Sequence, residues 1–312
     1  MAKHLNKVAI IGCGLVGASI AYALSTEGLV SELVLVDINH EKAQGEAMDI
    51  NHGLVHFTQM EVYAGEYSDI KDADIIIICS GVGRKPGETR LDLAKNNVKI
   101  IKAVAESMKP YYTGSVVLMV SNPVDILTYT IKQAMDLPKE SVIGTGTVLD
   151  TARFKYFLSR ELGVDIRNIH GYVIGEHGDS QFPVWSSVNI AGMALDDYCE
   201  MNGVKLDMQS VMEQVRNAGA EVIKRKGATY YAIASNVCRI VEAILKNEHA
   251  VLPLSTVIPA IPDGKEVAIS LPCIVNSRGI EKYLHLKLNQ EESKKFRASA
   301  RVLEDMIQET VK

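Results

Sequence analysis

The chain has no Cys-x-x-Cys pair, no cationic run longer than Lys224-Arg225-Lys226, and no apolar stretch near the ~18 residues that a membrane-spanning helix needs. Its five cysteines, Cys13, Cys79, Cys199, Cys238 and Cys273, are scattered and odd in number. That excludes a disulfide framework and leaves no zinc spacing, so a reducing compartment is expected. A formal charge of −5, with no basic patch to offset it, argues against nucleic acid and membrane surfaces as partners. A strand pattern is reached by Lys7, leaving no room for a signal or transit segment, and the expected location is the cytoplasm. Internal repeats and low-complexity linkers are missing as well. What is present, 47% hydrophobic and 23% charged residues over 312 positions, suits a globular chain with a large core and room for two subdomains.

The first half alternates strand and helix. Apolar runs at Val8–Ile11, Leu33–Val36, Glu61–Ala64, Asp74–Cys79, Ser115–Val120 and Val142–Gly144 read as six strands. Helical spacing appears at Leu15–Ser25, from Glu41, at Leu91–Met108 and at Val124–Met135. Strands that are apolar throughout need cover on both faces, which predicts an α/β fold built on a six-stranded, doubly wound Rossmann sheet. The second half reads as an α+β substrate domain. Val148–Leu162, Ser210–Lys246 (broken near Gly227) and Glu291–Gln308 are helical. Asn168–Ile174, Val184–Ile190, Val251–Ile261, Val267–Ile274 and Lys282–Leu288 read as extended, with Pro253, Pro259 and Pro262 favouring edge positions. The expected division is 1–145 for the cofactor and 146–312 for catalysis, with a large shared interface.

Gly12-Cys13-Gly14-Leu15-Val16-Gly17 matches Gly-x-Gly-x-x-Gly, follows a strand, opens a helix, and stands 20 residues before Asp37 at the end of the next strand. Gly12 permits the tight turn, Gly14 lets backbone approach a pyrophosphate, and Gly17 lets helix and strand pack closely. The helix N-terminus offers unpaired N–H groups to the phosphates. Asp37 would accept hydrogen bonds from ribose hydroxyls and repel a 2′-phosphate, and no arginine stands beside it; NAD is expected rather than NADP.

His177 lies in Gly-Glu-His-Gly-Asp (Gly175–Asp179), directly after an apolar strand. Asp150-Thr151-Ala152-Arg153 opens a helix, so Asp150 and Arg153 project from one face. A carboxylate on one imidazole nitrogen fixes the tautomer and frees the other nitrogen for proton transfer. A guanidinium can grip a substrate carboxylate through two parallel hydrogen bonds. Asn122-Pro123-Val124-Asp125 follows the fifth strand's carboxyl end, where ligands of open α/β sheets bind. Ser80–Asp92, with three glycines, one proline and three cations, reads as a lid, and its closure would bring Arg90 against a carbonyl oxygen. The plainer readings are an N-cap with a surface ion pair at Asp150 and Arg153, and a solvated connection at Ser80–Asp92.

Taken together, Gly12–Gly17, Asp37, Asn122–Asp125, Asp150–Arg153 and Gly175–Asp179 resemble the lactate/malate dehydrogenase family along essentially the whole chain. The resemblance implies NAD-dependent hydride transfer at C2 of a 2-hydroxy or 2-oxo acid. It implies His177 as proton donor and acceptor, Asp150 as its orienting partner and Arg153 on the C1 carboxylate. Arg90 would polarise the C2 oxygen, Asn122 would bond near it, and Thr229 would help shape the pocket. Gly12, Gly14, Val16, Gly17, Asp37, Tyr67, Gly81, Val82 and Asn122 would contact NAD. No metal is implied, and a homotetramer or homodimer is. His170 and Lys155 fall where bacterial lactate enzymes place the His and Arg of a fructose-bisphosphate site, with Lys losing the bidentate grip.

The acid is read from Arg84, the family position facing the substrate's variable end, where lactate enzymes usually carry Gln. A guanidinium ~4 Å from a second carboxylate is worth about 4 kcal/mol at an effective dielectric of 20. Opposite a methyl group that charge would be poorly compensated. The expectation is therefore malate/oxaloacetate, and with it a place in the tricarboxylic acid cycle. Gly87–Asp92 and Gly227–Tyr231 instead resemble bacterial lactate dehydrogenases, making lactate/pyruvate the alternative. A dinucleotide-binding protein without turnover is a third reading, opposed by the presence of His177, Asp150, Arg153 and Arg90.

Overall fold

A computed structural model describes residues 6–57, 59–83, 87–259 and 265–311. Six parallel strands, β1 (Lys7–Ile11), β2 (Glu32–Val36), β3 (Glu61–Ala64), β4 (Ile75–Ile78), β5 (Val116–Met119) and β6 (Val142–Gly144), lie in the order 3-2-1-4-5-6. They alternate with α1 (Leu15–Glu27), α2 (His40–Gly53), α3 (Arg90–Met108) and α4 (Val124–Met135). The second half opens with α5 (Val148–Leu162), then five two-residue strands: β7 (Ile169–His170), β8 (Val173–Ile174), β9 (Phe182–Pro183), β10 (Asn189–Ile190) and β11 (Met193–Ala194). Helices α6 (Leu195–Asn202), α7 (Met208–Lys226) and α8 (Tyr231–Leu245) follow. The chain then runs through β12 (Ala250–Ile258), β13 (Val267–Asn276), β14 (Gly279–Tyr283) and α9 (Gln290–Thr310).

Strand parity explains the layers. Val8, Ile10, Leu33, Leu35, Ile75, Ile77 and Leu118 point to one face; Ala9, Ile11, Val34, Val36, Ile76, Ile78, Val117 and Met119 point to the other. Helices α1, α2 and α8 bury apolar residues against the first face, and α3, α4 and α9 against the second. The doubly wound parallel sheet is thus as expected, but it does not stop at six strands. Antiparallel β12, β13 and β14 extend it to nine among the described residues, because β12 joins β6 through Ser255↔Gly144. The two halves of the chain share one sheet and cover it together. No helix among the described residues is long and apolar enough to cross a membrane.

Two expectations need correction. Val184–Ile190 is not a strand: Trp185–Ser187 forms a 3-10 turn and only Asn189–Ile190 pairs. Its apolar spacing arises because Val184 packs in one core while Val188 and Ile190 pack in another. The proline-bearing β12 is an interior strand, yet Pro253 faces Pro272 across β13 and lies outside the single β12–β6 pairing. A missing N–H there breaks no ladder on the β6 side. Pro259 follows the strand's end, and Pro262 lies outside the described residues.

The loops that matter leave the carboxyl ends of β1, β2, β4, β5 and β6, beside the point where strand order reverses between β1 and β4. Their positions depend on the core beneath them. Ile77 is fully buried in the centre of the sheet. Ile77→Ala should destabilise the fold by about 2–5 kcal/mol, read as a lower urea midpoint of unfolding.

Candidate active site

The cofactor end is built from three glycines, two of which have no room for anything larger. Gly12 adopts φ +102°, and a Cβ there would sit 2.7 Å from the Ser80 nitrogen. A Cβ on Gly17 would collide with the Gly12 carbonyl oxygen. Gly14 differs: nothing lies within 4 Å of where its Cβ would point. Gly14 is also the N-cap of α1, and no side chain caps that helix nor does an acidic residue occupy its first turn. The N-terminal N–H groups are therefore turned to open space, a fit for the pyrophosphate of NAD. Asp37 flanks them, its Oδ2 accepting the Cys13 N–H at 2.6 Å and its Oδ1 the Asn39 N–H at 2.9 Å. Val16 packs half-buried against the core under α1. Tyr67 is half-buried near Asp37; burial and then the Asp37 charge push its phenol up.

Asn97, on the buried face of α3, is a residue that the sequence reading passed over. Its Oδ1 accepts the Val82 N–H at 2.9 Å, and its Nδ2 donates to the Val82 carbonyl at 3.1 Å and to the Asn122 carbonyl at 2.7 Å. One amide thus joins the loop after β4 to the loop after β5. Gly81 packs closely beside it, and a Cβ there would lie 3.3 Å from Asn97 Oδ1. The available signal was a polar residue at an apolar position of an amphipathic helix, with 1% exposure.

His177 and Asp150 meet as expected, with Nδ1 2.6 Å from Asp150 Oδ2. Asp150 Oδ1 is 3.4 Å from an Arg153 guanidinium nitrogen. Burial alone would push the Asp150 carboxyl up, but the His177 charge and hydrogen bond, with Arg153, hold it below the usual range. Burial also opposes protonation of His177, and the Asp150 charge and hydrogen bond, with Asp125, outweigh it and raise the imidazole. Among the described residues the remaining Arg153 N–H groups meet no acceptor, and one side of the guanidinium lies against Gly219 of α7, where a Cβ would be 3.6 Å away. Gln181 beside it lowers the Asp150 carboxyl further, and the buried Gln181 Oε1 has no hydrogen-bond partner among the described residues.

Arg90 opens α3, capped by Thr89 and Asp92. It pairs with Asp179 at 2.9 Å and reaches Glu176 at 3.8 Å, so it stands beside the His177 loop with its side chain half exposed. The loop is pinned from below by α9: Ser299 accepts the Glu176 N–H at 2.7 Å and lies 2.9 Å from the Ser180 hydroxyl. Thr229 is half-buried between α7 and α8, and among the described residues no hydrogen bond ties it to His177, Asp150 or Arg153. Arg84 lies outside the described residues.

A dinucleotide crevice beside a buried His–Asp pair and an unspent guanidinium is the layout of an NAD-dependent oxidoreductase. The NAD-binding domain model of the lactate/malate dehydrogenases matches residues 6–144, and their alpha/beta C-terminal domain model matches 147–312. The chain belongs to the lactate/malate dehydrogenase family. It is 47% identical over 308 residues to an L-lactate dehydrogenase of Thermoanaerobacter sp., covering 98% of this chain and 99% of that one. It is 45% identical to the L-lactate dehydrogenase of Acetivibrio thermocellus, covering 98% and 97%. A solved minor L-lactate dehydrogenase of Enterococcus mundtii superposes with a TM-score of 0.94 at 39% identity, covering 98% of both chains.

These matches overturn malate as the expected substrate, and with it the tricarboxylic acid cycle: relatives aligned from end to end carry the name L-lactate dehydrogenase. The physical fault lay in resting the choice on Arg84. The Coulomb argument holds only for a guanidinium enclosed with the substrate, and a long stem lets such a group keep its charge in water.

Asn97→Ala should loosen both cofactor loops and weaken NADH binding about tenfold, the loss of one to two hydrogen bonds. Fluorescence titration of NADH checks it, and unchanged affinity would remove Asn97 from the site.

Proposed function

We propose that the protein is an L-lactate dehydrogenase, reducing pyruvate with NADH and oxidising L-lactate with NAD. The carrying observation is the His177–Asp150 contact beside Arg153, in a chain that matches L-lactate dehydrogenases over its full length. Bound NADH supplies the hydride to C2 of the acid.

The chain's own residues do the rest. Arg153 receives the C1 carboxylate with its unspent N–H groups, and Arg90 stabilises negative charge developing on the C2 oxygen. Asp150 holds Nδ1–H of His177, which leaves Nε2 to deliver the proton to that oxygen. Asn122 bonds near the oxygen, and Thr229 bounds the methyl end. Gly12, Gly14, Val16, Gly17, Asp37, Tyr67, Gly81 and Val82 hold the cofactor. Residues 1–145 form the cofactor half and 146–312 the substrate half of a cytoplasmic homotetramer or homodimer.

Pyruvate reduction needs the imidazolium and lactate oxidation the neutral ring. With the His177 pKa raised, kcat/KM for pyruvate should stay level at low pH and fall about tenfold per pH unit above that pKa; lactate oxidation should rise to a plateau over the same range. Side-by-side assays should give a larger kcat/KM for pyruvate than for oxaloacetate, and the reverse order would refute the substrate. His177→Asn should lose about 10²–10⁴-fold in kcat. A variant with full turnover would refute the mechanism and leave a dinucleotide-binding role.

A further inference from the structure

Asp125 sits in the first turn of α4 with 2% exposure, beneath the His177 loop. Its Oδ2 accepts the backbone N–H of His177 at 2.7 Å, and its Oδ1 accepts the Ser255 hydroxyl at 2.5 Å. Ser255 is also the residue through which β12 joins β6, opposite Gly144, where a Cβ would lie 2.8 Å from the Ser255 Cβ. Helix α4, the His177 loop and an interior strand therefore converge on one carboxylate.

Resting on proton transfer by His177, we propose that Asp125, oriented by Ser255, is a second positioning carboxylate for the imidazole: it holds the backbone of His177 while Asp150 holds the ring, and its charge favours the imidazolium. A carboxamide of the same shape would make both hydrogen bonds, its oxygen accepting from His177 and its NH₂ donating to Ser255. Charge is what Asp125 adds, and it adds it against a penalty. Burial pushes its carboxyl up to about 6, opposed by the Ser255 and His177 hydrogen bonds. A folded pKa above the unfolded one means that stability falls as pH rises from the usual carboxylate range to about 6 and stays lower above it. Unfavourable for the fold at neutral pH, the charge is favourable for a protonated His177.

The other charges around this imidazole are Asp150 and Arg153 from α5 and Glu176 from its own loop. Arg90 from α3 is engaged by Glu176 and Asp179. Strands β12 and β13 and helix α9 present the uncharged Ser255, Ser270 and Ser299.

The test is a histidine NMR titration of the full chain, parent against Asp125→Asn. The His177 midpoint should fall by about half to one pH unit, and the alkaline limb of kcat/KM for pyruvate should move down with it. Above pH 7 the variant should melt no lower than the parent, because the carboxamide keeps both hydrogen bonds and removes a buried charge; a merely structural carboxylate would give the same melting but leave the His177 midpoint unmoved. Ser255→Ala should shift the midpoint less in the same direction, and the double variant no further than Asp125→Asn. A His177 midpoint unchanged in both single variants, with or without lower thermal stability, overturns the proposal. If the parent fails to reduce pyruvate, the lactate reading falls while the titration still decides Asp125.

Discussion

A carboxylate with 1% exposure keeps its charge in this protein because an imidazole and a guanidinium stand against it. Asp150 without His177 would be a buried, poorly compensated ion, and His177 without Asp150 would be a buried ring favouring its neutral form. The contact at 2.6 Å is held from several sides. Thr147 of the α5 N-terminus donates to the Val173 carbonyl at 2.6 Å, and Thr151 accepts the Val173 N–H at 2.9 Å, tying the helix that carries Asp150 to the strand leading into His177. Gly175, at φ +99°, turns the chain where a Cβ would meet the Ser299 hydroxyl at 2.8 Å. A pair that needs such placement to tolerate burial is placed by the backbone on both of its flanks.

The shared sheet makes that possible. The glycine turn and the Asp37 loop belong to the first half of the chain, the His177–Asp150 pair to the second, and β12 joins the two halves in one sheet through Ser255 and Gly144. Helix α9, at the far end of the chain, packs on β13, α3 and α4 and reaches up to hold the His177 loop through Ser299. Its first turn does similar work, where Glu292 accepts the N–H of Ser186 at 3.0 Å. Relative movement of the two halves would part the glycine turn from the His177–Asp150 pair; a core that includes residues of both halves resists it.

Legibility followed the range of the interaction. The glycine turn, Asp37 and the six apolar strands are local patterns, readable because a turn, a helix terminus or a two-faced strand writes its needs into a few neighbouring residues. Asp150 with Arg153 was readable as a helical pair, and its meeting with His177 followed from the chemistry each lacked alone. Ser299 and Ser255 were not readable, and Asn97 only as a polar residue on the apolar stripe of an amphipathic helix. Each is a small polar residue on the buried side of its element, and its partners lie 15 to 130 residues away. Val184–Ile190 misled for the opposite reason, since burial in two different cores imitates the alternation of a strand.

Substrate choice was the least legible feature, and the fold explains why. Asp150, Arg153 and His177 sit on a helix and a loop pinned by buried hydrogen bonds. Thr229 belongs to the connection between α7 and α8, where a side chain can face substrate or water without changing what the core buries, and Arg84 lies outside the described residues. A charge on such a connection supports a Coulomb estimate of several kcal/mol only with its position known, because the same pair is worth about 1 kcal/mol at 4 Å in water. Dielectric, set by enclosure, decides between the two values. Full-length similarity integrates hundreds of positions that respond to the enclosing fold, so it outweighs one formal charge whose surroundings the sequence does not specify.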